Sequence, residues 1–408
     1  MHAVVIGGGA AGCMAAGAAA RQGHAVTVIE RNPRPARKVM ITGKGRCNVT
    51  NNCSVAEFIA QVRHNPRFLY SALTAFPPQD MMALLEAEGV PLKTERGNRV
   101  FPVSDRAVDV VDALTRYARK GGARFLQGRA VRLQLTDGVC TGVALEDGRL
   151  VSADAVIVAA GGCSYPGTGS TGDGYALAQQ AGHTIVPPRP SLVGLESPDA
   201  FCPVMQGLAP KNCVLTLTDT HTGKVLYREL GEMLFTHFGV SGPLVLTAST
   251  YMDAMAPGRY CLHIDWKPGL TPEQLDDRIR RDLTERANYD LGNALGKLLP
   301  RLLIPVILQQ TGIEPGRKCR DVTREQRRAL AAQLKAMPVR VSGFRPMAEA
   351  IVTAGGVAVR EVDARTMASK RTPGLYFAGE VLDVDACTGG FNLQIAFSTG
   401  VAAGTHLG

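Results

Sequence analysis

Residues 2–12 read HAVVIGGGAAG, and this stretch decides the fold. His2–Ile6 is a short apolar run rich in β-branched residues, which predicts a buried strand. Ala10–Gln22 is rich in alanine and is followed by Gly23, which predicts a helix that ends at a glycine. Ala25–Glu30 (AVTVIE) predicts a second strand. A strand, a helix and a strand in this order form a βαβ unit, so we expect a parallel sheet with right-handed crossovers.

The glycines of this turn have the spacing Gly7-x-Gly9-x-x-Gly12. At a strand-to-helix turn, the first glycine permits a tight bend, the second lets the backbone approach a pyrophosphate, and the third lets helix and strand pack closely. The helix N-terminus offers N–H groups and a positive dipole to the phosphates. Glu30 follows Gly12 by 18 residues and is expected to accept hydrogen bonds from an adenosine ribose, which disfavours a 2′-phosphate. The alternative is a glycine-rich turn without a ligand.

The far end of the chain indicates which dinucleotide is bound. Residues 375–380 read LYFAGE, Asp383 follows, and TGGFNLQ at 388–394 opens a last helix. A strand that ends in a glycine and an acid, followed by a glycine loop and a helix, suits the ribityl and flavin end of FAD. We expect the acid to bind ribityl hydroxyls and the helix N-terminus, near Asn392 and Leu393, to face the flavin N1/C2=O edge. A packed turn without a ligand is the alternative.

Composition and prolines divide the chain. It has 408 residues, 45% of them apolar and 20% charged, which is typical of a globular protein of two or three domains. Pro187, Pro188 and Pro190 mark a boundary. Beyond it, alternating strands and two amphipathic helices, Pro272–Ala287 and Arg324–Met337, replace the βαβ pattern, which returns after residue 350. We therefore predict an α/β fold: a split Rossmann-type FAD-binding domain (1–190 and 341–408) around an inserted substrate domain (191–340), β-rich over 191–266 and helical over 270–340.

Several of these motifs resemble those of the BaiN-like family of bacterial FAD-dependent oxidoreductases, within the glutathione-reductase-type flavoprotein superfamily. The resemblance rests on GGGAAG at 7–12, ERN at 30–32, TGKGRCNVTN at 42–51, GSTGDG at 169–174, LFTHFGVSGP at 234–243 and the stretch from 377 to 394. It implies FAD bound by residues 7–12, 30, 37–48 and 380–394, and it implies no settled substrate, since members are linked to reduction of unsaturated steroid-like ketones or are uncharacterised. Motifs and resemblance together give these cofactor-binding residues: Gly7, Gly9, Ala10, Ala11, Gly12, Glu30, Arg31, Arg37, Lys38, Thr42, Gly43, Gly45, Arg46, Cys47, Asn48, Val131, Ala160, Gly161, Gly379, Glu380, Asp383, Gly390, Asn392 and Leu393.

The loop at residues 37–52 suits the same ligand. Its four cations, Arg37, Lys38, Lys44 and Arg46, are expected beside a pyrophosphate and an electron-rich ring. Asn48 offers hydrogen bonds to flavin carbonyls or ring nitrogens. A cationic surface loop is the alternative.

A second GxGxxG, at residues 167–172, does not predict a second Rossmann domain. The strand before it ends several residues too early, and no acid ends a strand about 20 residues later, as the fingerprint requires. We expect Asp173 to cap the helix that follows. NAD(P)H, if it is the reductant, is then a transient visitor rather than a resident cofactor.

The residues that would perform catalysis are less apparent. His237, in a glycine- and proline-rich loop of the insertion, is the first candidate for a proton donor, and Tyr165 is the second. With them we expect NAD(P)H-driven hydride transfer through FAD to a small or steroid-like unsaturated carbonyl compound. The alternatives are an amine oxidase that passes electrons to oxygen, an RNA-binding flavoprotein such as a tRNA-modifying enzyme, and a non-catalytic flavin-binding protein.

Charge and cysteines set the remaining limits. The formal charge of +9 is concentrated between Arg278 and Arg340, where 14 Lys/Arg face 6 Asp/Glu. This segment is either a solvated helical face or a surface for anionic substrates or RNA. None of the ten cysteines forms a CxxC pair or has zinc-ligand spacing, and a redox pair of Cys47 and Cys53 is disfavoured. We expect a cytoplasmic protein with reduced thiols, no metal and no membrane segment, and the oligomeric state is left open.

Overall fold

The computed structural model describes all residues from Met1 to Gly408. The chain folds into two compact units: unit 1 is Met1–Ser191 with Pro346–Gly408, and unit 2 is Leu192–Arg345. These junctions lie one and five residues beyond the boundaries suggested by the sequence.

The elements follow one another along the chain as follows. The first part of unit 1 contains β1 (His2–Ile6), α1 (Ala10–Arg21), β2 (Ala25–Glu30), β3 (Thr50–Asn51), α2 (Val55–Ala60), α3 (Tyr70–Ala75), α4 (Pro78–Ala87), β4 (Leu92–Glu95), β5 (Arg99–Pro102), α5 (Ala107–Lys120), β6 (Arg124–Gln127), β7 (Ala130–Thr136), β8 (Val139–Leu145), β9 (Leu150–Ser152), β10 (Ala155–Val158), α6 (Asp173–Gln180) and β11 (Ile185–Ser191). Unit 2 contains β12 (Leu195–Glu196), α7 (Phe201–Val204), β13 (Cys213–Asp219), β14 (Lys224–Gly231), β15 (Leu234–Thr236), β16 (Gly239–Ser241), α8 (Pro243–Ser249), β17 (Tyr260–Asp265), α9 (Pro272–Glu285), α10 (Leu291–Ala294), α11 (Leu303–Thr311), α12 (Arg324–Lys335), β18 (Met337–Arg340) and β19 (Gly343–Phe344). The chain then returns to unit 1 with β20 (Val352–Val357), β21 (Leu375–Phe377) and α13 (Phe391–Thr405).

A five-stranded parallel sheet forms the centre of unit 1. Its strand order is β21-β10-β1-β2-β6, so the last strand of the chain pairs with the strand beside the first. The strands β1, β10 and β21 are almost entirely buried and apolar, as expected of a sheet covered on both faces. The predicted α/β class with a parallel Rossmann-type sheet and additional antiparallel strands is confirmed.

The first and last helices of the chain pack against each other without intervening side chains. A Cβ added to Gly400 would lie 2.4 Å from the Ala11 carbonyl oxygen, and one added to Gly404 would lie 2.2 Å from that of Ala15. Only glycine permits this approach, because the opposing atoms are backbone. The small residues of α1 and α13 therefore bring the two ends of the chain together beside the sheet.

Unit 2 is built from two antiparallel sheets and a helical part. The sheets have the orders β14-β13-β17-β18 and β15-β16-β12-β19. The helices α9 and α12 each begin with a capping box, Thr271–Gln274 and Thr323–Gln326, and the Arg327 guanidinium of α12 donates to both Asp276 carboxylate oxygens of α9 at 2.8 and 3.0 Å. These contacts fix the two helices relative to each other.

One detail of the prediction for this unit is wrong. The helix expected to reach Met337 ends at Lys335, and Met337–Arg340 forms β18 because Met337 and Val339 point alternately into the core, with Val339 paired to Leu262. The segment expected to be β-rich also contains α8, which begins with Pro243 in its first turn.

Candidate functional site

The glycine turn after β1 leaves open space in front of a helix. A Cβ on Gly7 (φ +98°) would lie 2.6 Å from the Ala159 carbonyl oxygen, and one on Gly12 would lie 1.8 Å from the Gly7 oxygen. A Cβ on Gly9, in contrast, would meet no atom within 4 Å. Gly9 precedes α1, and no side chain caps the helix there. The first N–H groups of α1, from Ala10 onward, are therefore free of side-chain partners and accessible to an anion.

Glu30 holds this turn in place. Its Oε2 accepts a hydrogen bond from the Gly8 N–H at 2.8 Å, and its Oε1 accepts from the backbone and side-chain nitrogens of Asn32, both at 2.8 Å. The carboxylate is buried at the end of β2. The structure thus gives Glu30 a role in shaping the glycine turn, and its hydrogen bond to a ribose stays a prediction.

A polar cavity lies beside the end of β2. It has a volume of about 450 Å³ and is lined by Arg31, Gln127, Gly128, Arg129, Glu146, Asp147 and Arg149. Val131, a predicted contact of the cofactor, lies on β7 two residues after Arg129 and is exposed.

The expected helix cap at Asp173 is wrong. Gly172 is the residue that precedes α6, and the Asp173 carboxylate instead accepts hydrogen bonds from Arg129 at 2.8 and 3.0 Å. Arg129 holds the pKa of Asp173 below its usual range. Arg31 donates to Thr171 Oγ1 at 2.7 Å and lies 3.3 Å from the same carboxylate. The second glycine motif, at residues 167–172, is thus connected to Arg31 and Arg129 of the cavity wall through Asp173, the residue that follows it.

Lys38 and Glu380, both predicted to contact the cofactor, contact each other. Lys38 Nζ lies 2.7 Å from Glu380 Oε2 and also donates to Ser164 Oγ at 2.7 Å. Glu380 Oε1 accepts from the Thr353 N–H at 2.8 Å. This network connects four segments of unit 1: the 37–52 loop, the loop after β10, β20 and the segment after β21. Ala160 and Gly161 lie in the second of these, and Gly161 (φ +73°) faces Ser170.

The other cations of the 37–52 loop differ in their surroundings. Arg46 is paired with Glu95 at 2.5 Å and Asp105 at 2.6 Å, and its guanidinium lies 4.2 Å from the Phe101 ring centroid. Its charge is therefore compensated by its neighbours, which does not favour a role at the pyrophosphate. Arg37 and Lys44 are exposed. Thr42 donates to the Val39 carbonyl at 2.7 Å, and Gly43 and Gly45 both have positive φ angles, so this loop makes two tight bends.

The N-terminus of α13 also follows a glycine turn and has no side-chain cap. Gly390 precedes it with φ +95°, and a Cβ there would lie 2.4 Å from the Thr50 carbonyl. With its amide nitrogen toward the Thr50 and Val100 carbonyls, Asn48 accepts from the Gly390 N–H at 3.0 Å. The Asn392 side chain bonds the Ala386 backbone N–H and carbonyl at 2.9 and 2.8 Å. The two asparagines thus fix the glycine turn, and the helix N-terminus beyond it stays open.

Asp383, a predicted contact of the cofactor, belongs to a polar cluster just before this turn, and sequence reasoning missed the other members of that cluster. Asp385 is buried and bonds His64 Nδ1 and Ser191 Oγ, the latter at 2.7 Å. His64 Nε2 lies 2.7 Å from Arg189 Nη2 and must be the acceptor, because a guanidinium only donates. Asp383 accepts from Asn65 at 3.0 Å, and burial raises the pKa of its carboxyl. No local pattern marks His64 or Asp385, since 321 positions separate them.

The candidate catalytic residues and cysteines lie as follows. His237 is exposed at the turn between β15 and β16 of unit 2, with its ring edge-on to Phe238. Tyr165 lies in unit 1 with φ +50°. All ten cysteines are free thiols, and burial raises the pKa of Cys47 to about 12 and that of Cys53 to about 11. Thiols held so firmly in the protonated form are poor nucleophiles, which disfavours a redox pair.

The structure offers neither a metal-ligating cluster nor a helix suited to a membrane. No group of three or more His, Cys, Asp or Glu side chains is arranged to hold a metal ion. No helix combines the length and the apolar character needed to cross a bilayer.

Comparison with known proteins identifies the family. The profile of the HI0933-like protein Rossmann domain matches residues 1–406. The chain belongs to this family. It is 33% identical to the ribosomal RNA dihydrouridine synthase of Escherichia coli K12 over 406 residues, which cover 99% of this chain and 97% of that protein. It is 32% identical to the 3-dehydro-bile acid Δ(4,6)-reductase of Clostridium scindens over 408 residues, covering 98% and 97%.

The fold comparison agrees with this assignment. The 3-ketosteroid Δ1-dehydrogenase of Sterolibacterium denitrificans superposes with a TM-score of 0.51 at 13% identity, covering 99% of this chain and 98% of that one. At this identity the likeness concerns the fold alone.

The residues of unit 1 fit FAD. The glycine turn before α1 leaves the space in front of Gly9 open to a phosphate, and the glycine turn before α13 lies in the same unit. The expected resemblance to BaiN-like flavoproteins is confirmed, and the chain is an FAD-dependent oxidoreductase.

Proposed function

We propose that this enzyme saturates a carbon–carbon double bond conjugated to a carbonyl group, with NAD(P)H as electron donor and a uridine of ribosomal RNA as substrate. The observation that carries the proposal is that relatives of about equal identity, matching this chain from end to end, are named for one type of reaction on different substrates. In uridine the C5=C6 bond is conjugated to the C4 carbonyl. In a 3-oxo steroid with 4,6 unsaturation, both double bonds are conjugated to the C3 carbonyl.

The reaction balances without a metal. NAD(P)H gives up a hydride and becomes NAD(P)⁺, the β carbon of the substrate gains that hydride, and the α carbon gains a proton. For uridine these carbons are C6 and C5, and the product is 5,6-dihydrouridine. FAD, when bound, supplies the means of passing two electrons from the nicotinamide to the substrate.

The chain's own residues have three tasks in this proposal. The N-terminus of α1 binds the pyrophosphate, and that of α13 stabilises negative charge at the flavin end through its dipole and N–H groups. The network around Lys38 and Glu380 fixes the loops between them. His237, with Tyr165 as the second candidate, is proposed to deliver the proton to the α carbon.

The RNA substrate is favoured over a small enone by one feature of unit 2. The segment from Arg278 to Arg340, with 14 Lys/Arg against 6 Asp/Glu, suits the many phosphates of an RNA better than the single carboxylate of a bile acid. The second candidate, a steroid-like enone, is supported by the Clostridium relative.

A substrate test on the FAD-loaded protein distinguishes these possibilities. The flavin is first titrated anaerobically with NADH or NADPH, and loss of its visible absorbance is followed. Transcripts of ribosomal RNA or a Δ4-3-oxo steroid are then added, and flavin reoxidation is recorded together with product mass. We expect the mass of a uridine to increase by two hydrogens. This increase should be absent when NAD(P)H is left out.

Other outcomes have distinct meanings. Reoxidation by the steroid alone favours the second candidate. Reoxidation by oxygen alone, after reduction by an amine rather than a nicotinamide, contradicts the proposal and favours the oxidase. For the proton donor, His237→Gln is expected to lower kcat while the rate of flavin reduction by NAD(P)H stays unchanged, and an unchanged kcat would reject His237.

A further inference from the structure

Two segments of unit 2 run antiparallel and form a surface, which we call the basic ribbon: residues 286–290 and 317–321, extended by Arg324 at the start of α12. Backbone hydrogen bonds join the segments, from the Cys319 N–H to the Tyr289 carbonyl at 3.0 Å and from the Arg320 N–H to the Ala287 carbonyl at 3.1 Å. The side chain of Cys319 is buried beneath the ribbon. The backbone is therefore held at several points, and the side chains it carries are presented from a fixed base.

The ribbon has more cations than its own acids can neutralise. Five Lys or Arg side chains face two carboxylates, those of Asp290 and Asp321. Asp290 pairs with Lys318 at 2.7 Å. In contrast, no carboxylate oxygen lies within 4.0 Å of the guanidinium groups of Arg286, Arg317 or Arg324. Three guanidinium groups without a carboxylate partner on one short pair of segments raise the local positive charge, which favours an anionic partner.

An exposed aromatic ring lies among these cations. Tyr289 is 60% exposed, and only Tyr70 is an equally exposed aromatic residue in the chain. The Arg286 guanidinium lies 5.7 Å from the Tyr289 ring centroid. The residues on either side of Tyr289 are bound by side chains of the second segment. Asn288 accepts a hydrogen bond from Arg320 at 3.0 Å, and Asp290 accepts one from Lys318. The ring thus lies near one cation, Arg286, between two residues whose side chains are bound by Arg320 and Lys318, and much of its surface is open to solvent.

This combination indicates the class of partner. Single-stranded and looped RNA is bound by cations that contact phosphates and by aromatic rings or guanidinium planes on which unpaired bases stack. An acidic protein would be matched by the cations alone and gives the exposed ring no role. A membrane surface would require several apolar side chains beside the cations, and Tyr289 is the one large apolar residue of the ribbon that is exposed.

We propose that the basic ribbon binds looped or single-stranded RNA, with Arg286, Arg317 and Arg324 at phosphates and Tyr289 stacked on a base. This inference rests on the proposed ribosomal RNA substrate. It adds the surface of unit 2 that recognises that RNA, and its test measures binding rather than turnover.

The test compares variants of the full-length, FAD-loaded protein by fluorescence anisotropy with labelled transcript fragments of ribosomal RNA and without reductant. Arg286→Gln/Arg324→Gln removes two unmatched cations from the ribbon. Lys211→Gln/Lys224→Gln is the matched control, because it removes the same charge from two exposed lysines of the same unit, one before β13 and one at the start of β14. Thermal unfolding of each variant shows whether its fold is retained.

The expected results are quantitative. The slope of log Kobs against log salt, measured from about 50 to 200 mM, becomes shallower by about 0.7 to 0.9 for each lost phosphate contact in the ribbon variant. It changes much less in the control. Tyr289→Leu weakens RNA binding by about tenfold, whereas Tyr289→Phe keeps the ring and binds as the unmodified protein does.

Three outcomes would overturn the inference: equal salt slopes for the ribbon variant and its control, unchanged binding by Tyr289→Leu, or binding of polyglutamate as tight as that of RNA. Failure of the proposed function looks different. In that case the unmodified protein forms no dihydrouridine, while the ribbon variants still show reduced RNA affinity.

Discussion

Replacing Gly9 by alanine or valine is expected to separate cofactor binding from folding. The backbone at Gly9 is extended (φ −77°, ψ −167°), a conformation that both residues adopt readily. An added Cβ meets no atom within 4 Å. Alanine is a poorer residue than glycine before a helix, so we expect the apoprotein to lose only about 0.5 to 1 kcal/mol of unfolding free energy.

The affinity for FAD is expected to fall by much more. The new side chain occupies the space in front of the N–H groups of α1, where a phosphate must approach. Losing one charge-assisted hydrogen bond costs about 1.5 to 3 kcal/mol, which raises the Kd for FAD about 10- to 100-fold. Valine fills more of this space, so its effect should exceed that of alanine.

Gly12→Ala is the contrasting control. Its Cβ would lie 1.8 Å from the Gly7 carbonyl oxygen, so the helix must move, and the loss of stability should reach or exceed the 1 to 3 kcal/mol (roughly) typical of overpacking. Urea unfolding of the apoproteins gives the stabilities, and quenching of flavin fluorescence gives the affinities. If Gly9→Val binds FAD as tightly as the unmodified protein, the pyrophosphate does not lie at this turn and the reasoning is refuted.

Three further perturbations test other parts of unit 1. Glu380→Gln should lower the unfolding free energy by about 1.5 to 3 kcal/mol, because it leaves Lys38 without its carboxylate. Adding Lys38→Met to this variant should restore part of the lost free energy. Urea unfolding of the two single variants and the double variant, as a double-mutant cycle, measures both effects. Burial acts to raise the pKa of Glu361, but hydrogen bonds from Thr184 and Arg371 outweigh burial and lower that pKa to about 2. The ionised Glu361 therefore stabilises the folded protein fully above its usual pKa of 4.5, and this stabilisation is lost as the pH falls toward 2. The stability difference between the unmodified protein and Glu361→Gln should therefore shrink over that acidic range, and a constant difference would contradict it. Because burial raises their pKa values, Cys47 and Cys53 should react with a thiol reagent near neutral pH only after denaturation, and rapid labelling of the native protein would reject this.

The parts of the fold that follow from local pattern could be predicted closely. β1 and β2 have the predicted bounds, and α1 ends one residue early, because buried strands, an alanine-rich helix and its bordering glycine each leave a mark on consecutive residues. The wrong helix end at Met337 could also have been recognised from the sequence. Pro338 follows it, a residue before proline disfavours helical geometry, and Pro338 lies on the edge strand β18, where the missing N–H is tolerated.

The candidate site likewise has features that follow from a local pattern and features that depend on distant parts of the chain. The glycine turns before α1 and α13 could be predicted, because glycine spacing is a local property of the sequence. The charges could not, because what a cation does depends on which carboxylate it meets, and that partner is chosen by the fold. Lys38 and Glu380 were both expected at the cofactor, yet 342 positions apart they neutralise each other, and Arg46 is compensated by Glu95 and Asp105. A charged residue in a motif is therefore evidence for a ligand only when the fold leaves it without a counter-ion. By this criterion Lys38 and Glu380 hold loops of unit 1 together, whereas Arg286, Arg317 and Arg324, like the exposed Arg37 and Lys44, have no carboxylate oxygen within 4.0 Å and are available to an anionic partner.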